Sequence, residues 1–175
     1  MNISPLNLQP EILEDDLTKL IPLQESDFDA LYKVASDPLI WEQHPNKNRY
    51  EREVFQNFFE GAMESKGAFL IIDKTTGEIA GSTRFYEYDE ENRTVFIGYT
   101  FYGRKFWGTG FNTHVKKMML EYAFKDVNKV QFHIGAENYR SQKAIEKLGA
   151  VKVEEIEVAY YNEPSRHNFV YEIKK

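Results

Sequence analysis

The chain contains no cysteine. Disulfides, thiolate metal sites and a cysteine nucleophile are therefore excluded, and with them the most plausible covalent acyl-enzyme route. A cysteine-free composition fits a reducing cytoplasm. No apolar run is long enough to span a bilayer, so no membrane role is expected. The opening stretch, MNISPLNLQPEILEDD, has no basic start and no apolar segment, and does not read as a secretory signal. Positive charge is in deficit: 22 Lys and Arg stand against 28 Asp and Glu, a net charge of −6. Such a chain is poorly suited to neutralising a phosphate backbone, which argues against nucleic acid as a partner. A small anionic ligand needs only a local cluster of donors. Histidines are few and scattered (His44, His114, His133 and His167) and none has metal-ligand spacing, so no metal is expected. There is no linker and no internal repeat.

Core-forming residues are plentiful. Of 175 residues 42% are hydrophobic, and 13 Phe and 11 Tyr supply material for one substantial core. Residues 1–16 read as a lead-in and residues 17–175 as a single domain. Within it, residues 17–23 form a first strand. Ser26 offers a helix cap with Asp29 three residues on, and Pro38 stops that helix. A polar and aromatic loop, WEQHPNKNRY, precedes a second helix marked by Phe55, Phe58, Phe59 and Ala62 and ended by Gly67. Residues 68–73 and 78–86 read as a hairpin. In residues 94–101, Val95, Ile97, Tyr99 and Phe101 alternate onto one face. Phe111, Val115, Met118, Met119 and Tyr122 stripe a third helix, with Lys116 and Lys117 mostly opposite. A strand KVQFHIG, a helix capped by Asn138 and closed by Gly149, and two strands joined by a turn at residues 162–165 complete the chain. The expected order is β-α-α-β-β-β-α-β-α-β-β. The strands on either side of the third helix become parallel neighbours through a right-handed crossover. An α+β fold follows, with a mixed, mostly antiparallel sheet and helices on both faces.

The stretch RKFWGTGFN, residues 104–112, enters that third helix through two glycines. Glycine permits positive φ and close approach of backbone to a ligand. The first helical amides lack internal partners and the helix dipole favours an anion there. Arg104 and Lys105 add positive charge. Together these features describe a phosphate site, although a plain turn that starts a helix has the same two glycines. The dinucleotide fingerprint is incomplete, with Thr113 where a third small residue would fall, and the nucleotide loop ending Gly-Lys-Ser/Thr is absent.

Gly-x-Gly opening an amphipathic helix, then a strand, then ENYRSQKAIEKLGA, resembles the acetyl-CoA-dependent GNAT N-acetyltransferases, in the branch typified by ribosomal-protein N-terminal acetyltransferases. The resemblance implies a GNAT fold and transfer of an acetyl group from acetyl-CoA to a primary amine (a protein N-terminus, an amino acid or a small amine) in a ternary complex. It places the CoA pyrophosphate on the loop Arg104, Lys105, Phe106, Trp107, Gly108, Thr109, Gly110, Phe111 and Asn112. Trp107 stands where this branch often has arginine, and Arg104 is the candidate to compensate. By the same resemblance the strand FIGYTF carries a bulge and splays from KVQFHIG to open a wedge, and the pantetheine arm pairs with the freed strand backbone around Tyr99, Thr100 and Phe101. Asn138 and Ser141 match the family's Asn-x-x-Ser pattern. Asn138 is a helix cap, a pantetheine ligand or both; Ser141 is a donor to the leaving thiolate or an exposed first-turn serine. Arg140 and Lys143 reach toward the ribose phosphate or lie solvated.

Two family features are missing. Ile145 stands in place of the tyrosine acid and Phe96 in place of the strand glutamate. Base candidates are Glu87, Glu42, His44 and His133. An α-amino acceptor, with a pKa of about 7.7 to 8.0, needs less help from a base than an alkyl amine near 10.4. A non-catalytic acyl-CoA-binding module with the same fold is the alternative. Trp41, Tyr50, Phe85, Tyr86, Tyr160 and Tyr161 line a cleft or fill a core, and the protein is a monomer or a homodimer.

Overall fold

The structure, a computed structural model, describes residues 5–159 and 164–175. Eight strands form one sheet: β1 (Leu13–Glu14), β2 (Thr18–Pro22), β3 (Ala68–Asp73), β4 (Ile79–Asp89), β5 (Thr94–Tyr102), β6 (Lys129–Gly135), β7 (Val151–Val158) and β8 (Arg166–Lys174). Four helices interleave with them: α1 (Phe28–Ala35), α2 (Arg52–Ser65), α3 (Phe111–Ala123) and α4 (Tyr139–Glu146). The sheet order is β1-β2-β3-β4-β5-β6-β8-β7, antiparallel except where β5 meets β6. That parallel pair, joined through α3, is the crossover expected from the sequence.

The sheet separates two cores. On one face Leu20, Phe69, Ile71, Phe85, Val95 and Ile97 pack with Phe111, Val115 and Met119 of α3 and Ile145 of α4. On the other, Leu23, Ala68, Leu70 and Phe101 pack with Leu31 of α1 and Phe55, Phe58 and Phe59 of α2. Burying an aromatic such as Phe55, fully enclosed here, contributes about 2 kcal/mol.

Several local expectations need correction. A two-residue strand, β1, precedes the first expected strand and pairs with it. The segment around it is fastened down. Gln9 Nε2 donates to Ala68 O (2.8 Å), Tyr122 OH to Asn7 O (2.6 Å), and His114 Nδ1 meets Asp15 Oδ2 at 2.7 Å. Ser26 is not the cap of α1. A single 3-10 turn intervenes at Glu25–Asp27, and the Gln24 N–H donates to Asp27 Oδ2 at 2.8 Å. Gly67 does not end α2. Lys66 does, in the left-handed conformation at φ 54°. Gly67 is needed for space, because a Cβ there would lie 2.1 Å from Phe85 O. Of the aromatics weighed for the cleft, Tyr160 and Tyr161 lie outside the described residues, as does part of the turn at 162–165.

The expected alternation along β5 fails at one point. Val95 and Ile97 face the α3 side, but Phe101 lies in the core under α2, with Tyr99 packed against it. Tyr99 has φ 54°. Against β4, Gly98 pairs with Arg84 and Phe101 with Ser82, so β5 carries one extra residue. This is a β-bulge, and it moves the following side chains to the opposite face. The parallel ladder to β6 runs only from Thr94–Lys129 to Phe96–Gln131. Beyond Phe96 the two strands part.

Gly81, opposite the bulge, makes it possible: a Cβ there would sit 1.9 Å from Phe101 O. Gly81→Ala is expected to destabilise the fold by about 2–4 kcal/mol, through backbone displacement rather than lost burial. A lower urea midpoint with an unchanged slope checks this.

Candidate active site

The parting of β5 and β6 opens a cleft of ≈ 320 Å³ through the middle of the sheet. Its floor on one side is Ile97 to Tyr102 of β5, on the other Phe132 to Gly135 of β6. The loop before α3 and the start of α4 close its ends. Of the site residues expected from sequence, Tyr99, Thr100 and Phe101 line it from β5. Phe106, Trp107, Gly108, Gly110 and Asn112 line it from the loop and α3. Asn138, Arg140, Ser141, His44 and His133 complete the set. Glu42, Glu87, Arg104, Lys105, Thr109, Phe111 and Lys143 are not on its wall.

The glycine loop has the conformation an anion cradle needs. Gly108 and Gly110 have φ 70° and 89°, and Gly110 is the N-cap of α3. The first amide bonded back within the helix is that of His114, to Gly110 O at 3.1 Å. The amides of Phe111, Asn112 and Thr113 therefore precede the helical ladder and are the donors available to an anion. Charge reaches the loop by a route other than the expected one. Arg104 is ion-paired with Asp37, and Lys105 Nζ lies 2.6 Å from Glu78 Oε2. The cation over the loop is Arg140, whose guanidinium sits 3.9 Å from the centroid of the Trp107 ring. Trp107 is fixed in turn by its indole N–H, which donates to Tyr102 O at 3.2 Å. The Arg140 backbone N–H donates to Gln43 Oε1 at 3.0 Å, tying α4 to the loop before α2.

Asn138 caps α4, its Oδ1 accepting from Ser141 N at 3.4 Å. That geometry leaves the amide group of Asn138 as a donor. Ser141 lies one residue after Arg140 on the same short helix and is half-buried at the cleft.

On the far face the cleft is aromatic. The Tyr99 ring, turned over by the bulge, lies 3.6 Å from the Arg84 guanidinium, 6.0 Å from Phe58 and 5.0 Å from Tyr86. His133 packs 4.2 Å from the Phe96 ring, with Nδ1 3.1 Å from Tyr86 OH. Burial lowers its pKa to about 4, so the ring is neutral at physiological pH. Burial, and the positive charge of Arg49, also push His44 well below its usual value. His44 Nδ1 accepts the Asn46 N–H at 2.9 Å. The Nε2 of the same ring lies 3.3 Å from Arg49 Nη1, so both ring nitrogens face donors and neither is open to a substrate proton.

The electrostatics of the wall are one-sided. Among the described residues Lys116, Arg140 and Lys147 line the cleft and no Asp or Glu does, in a chain whose net charge is −6. Lys116 departs from the sequence reading, which put it on the solvated face of α3. It is 5% exposed. The buried stripe of α3 is Val115, Lys116, Met119, Leu120 and Ala123. The signal was present in the spacing: Lys116 falls four residues after Asn112 and three before Met119, on the face turned to β5. Away from the cleft, Asp15, Asp16 and His114 bring ligand-type atoms within 4.8 Å of one another. Asp15 there also accepts from Thr18 N and Leu17 N, which makes the group a fastening of the N-terminal segment.

The fold and cleft agree with the comparisons. A family model described as an acetyltransferase (GNAT) domain matches residues 18–151, and the chain belongs to that family. It is an acetyltransferase, as the sequence resemblance implied, and acetyl-CoA is the acyl donor that GNAT enzymes use. It is 28% identical over 150 residues to the uncharacterized N-acetyltransferase p20 of Bacillus licheniformis, covering 81% of this chain and 83% of that one. It is 27% identical over 167 residues to L-2,4-diaminobutyric acid acetyltransferase of Vibrio parahaemolyticus, covering 94% and 87%. Among solved structures, Mycobacterium smegmatis RimJ in complex with CoA-disulfide superposes with a TM-score of 0.70 over 93% of this chain and 85% of its own. At 16% identity this likeness concerns the fold alone. No helix among the described residues is long and apolar enough to cross a membrane.

The two depressed histidines give a stability signature. Unfolded histidine takes up its proton near pH 6.5, whereas folded His133 does so only near 4. Between those values the unfolded state binds more protons. The stabilisation is thus complete above about pH 6.5 and is lost as pH falls through the window toward 4. His133→Phe is expected to shallow that acid decline relative to the wild type. Urea denaturation at a series of pH values measures it.

Proposed function

We propose that this protein transfers an acetyl group from acetyl-CoA directly to an amino group in a ternary complex, with an α-amino group as the preferred acceptor. The observation that carries this reading is the cleft between the parted strands, lined among the described residues by cations and by no carboxylate. The CoA pyrophosphate sits on the amides that open α3, with Arg140 and Lys143 toward its ribose phosphate. The pantetheine arm continues along β5 at Tyr99, Thr100 and Phe101, beyond the last residue pair with β6, and adds to the sheet as a further strand does. A main-chain amide at the bulge faces the thioester carbonyl and stabilises its oxyanion. The Asn138 amide group donates to the arm and the Ser141 hydroxyl to the sulfur.

The amine enters from the aromatic face. With Glu42 and Glu87 off the wall and His44 committed to the main chain, His133 is the group placed to receive a proton, and Tyr86 OH orients its ring. Its low basicity is the reason an acceptor already partly neutral is favoured. An α-amino group near pKa 8 has a usable neutral fraction, while an alkyl ammonium near 10.4 has about one part in a thousand or less at pH 7. The likeness to L-2,4-diaminobutyric acid acetyltransferase supports an amino acid as the source of that amine.

Acetyl-CoA is expected to raise the melting temperature, while NAD and ATP leave it unchanged. Gly110→Trp, which places bulk in the cradle at a left-handed position, should abolish that shift. Arg140→Ala should weaken acetyl-CoA binding by roughly tenfold, the loss of one charge-assisted contact. A radiolabelled transfer screen over amino acids, N-terminal peptides, polyamines and aminoglycosides identifies the acceptor. Rates should rise with pH through the pKa of the acceptor's own amine. Tight acetyl-CoA binding without transfer to any member would favour a non-catalytic binding module, which the Ile145 and Phe96 replacements of the family acid and base make the second reading.

A further inference from the structure

Lys116 is a buried cation that the described reaction does not use. Its Nζ donates to Thr100 Oγ1 at 2.9 Å. Thr100 Oγ1 lies 2.9 Å from Thr83 Oγ1, which in turn donates to Met119 Sδ at 3.7 Å. Read from the sulfur outward, each hydroxyl gives its proton away and accepts the next. Lys116 therefore heads the chain as donor, with its remaining N–H groups free for a ligand. It lines the cleft, and Thr100 belongs to the bulge where the thioester is read to lie. From Gly110, six residues of α3 carry Lys116 about 9 Å down from the pyrophosphate cradle, in the direction the arm must run. Opposite, α4 presents Ile145 where the family has its acid, and Ser141, whose hydroxyl donates a hydrogen bond but does not surrender its proton at neutral pH.

We propose that Lys116 is the proton donor to the departing CoA sulfur. The inference rests on the reading of the cleft as the acetyl-CoA site. The acceptor nitrogen bonds to the thioester carbonyl carbon and the carbon–sulfur bond breaks, its electron pair going to sulfur. A proton passes from Lys116 Nζ to that sulfur, giving the free thiol. The acceptor loses one proton to solvent by way of His133, and Lys116 regains one from solvent, so the balance closes.

The acidity is suited to the task. Burial lowers the pKa of Lys116 to about 7, below that of a free thiol at about 8.5, so transfer to the thiolate runs downhill. The other titratable or charged groups on the cleft wall do not compete. Tyr102, from β5, is pushed above its usual range by burial and donates to Asn112 Oδ1 at 3.0 Å. His133, from β6, and His44, from the loop before α2, are neutral. Arg140 and Lys147, from α4 and its end, are cations set toward the loop and the helix terminus, and among the described residues no carboxylate lines the wall.

The test uses the full chain with acetyl-CoA, CoA and CoA lacking its sulfur. Lys116→Met should lower kcat by ~10²-fold, the usual scale of a lost general acid, while acetyl-CoA affinity changes less than about threefold. The rise of wild-type kcat with pH that the acceptor amine imposes should level off above about 7, whereas the variant should lack that limb and keep rising toward the amine's own pKa. Wild type should prefer CoA over the sulfur-free analogue, and the variant should narrow the preference. Lys116→Gln keeps a donor for Thr100 but no titrating proton. It should lose the same limb, and it replaces the Met variant if that one does not fold. If either variant weakens CoA and the sulfur-free analogue equally while keeping wild-type kcat and pH profile, Lys116 only grips the arm and the proposal is overturned. If the wild type binds neither compound, the reading of the cleft itself has failed.

Discussion

One backbone irregularity organises this molecule. The extra residue at Tyr99 turns β5 over, so that Val95 and Ile97 serve one core while Phe101 serves the other. The same turn ends the ladder to β6 after three residue pairs. A continuous strand in this position would have sealed the sheet and left no cleft. Left-handed φ at a tyrosine is unfavourable by itself, and it persists because its surroundings hold it. The ring is sandwiched against Arg84, Phe58 and Tyr86, and Gly81 yields the space that the displaced carbonyl requires. Strain, packing and the opening of the site are one arrangement seen three ways.

The electrostatics of the cleft follow a similar economy. The two cations nearest the glycines in sequence, Arg104 and Lys105, are occupied by Asp37 and Glu78. Those that line the cleft come from elsewhere: Arg140 is carried in by α4 and stacked on Trp107, and Lys116 is buried along α3. Sequence proximity to a binding loop therefore says little about which charge serves it. The tertiary fold brings in Arg140, half-buried, and Lys116, buried, and a charge withdrawn from solvent interacts more strongly with an anion than one on the surface.

This contrast also explains what was legible beforehand. The order of strands and helices, the parallel pair and the glycine cradle all follow from local signals: alternation, helical spacing and the conformational range of glycine. The bulge was expected only through the family resemblance; the residues themselves do not announce it, because Tyr99 carries no local mark of its left-handed backbone and the alternation VFIGYTF reads as uninterrupted. Lys116 was assigned to the polar face by its residue type, although its spacing to Asn112 and Met119 placed it on the buried one. Ser26 and Gly67 have the chemistry of helix ends, but Gln24 with Asp27, and Lys66, hold the positions that the tertiary path made available. The environment of His133 depends on Tyr86 and Phe96, both distant in sequence, and no local pattern announces it.

The sheet has a further property that concerns motion. Its first five strands and its last three are stitched together by only three residue pairs, Thr94 to Phe96 against Lys129 to Gln131, with α3 and α4 bridging one side. Across this seam the two parts are held mainly by side chains, Val95 and Ile97 sharing one core with Val130, Phe132 and Tyr171. An acyl donor lying in the seam and bonding to backbone on either side would join them. On this view the co-substrate is also a structural member: amide exchange along β5 and β6 is governed by its arrival and departure, and catalytic turnover and the cohesion of the sheet rise and fall together.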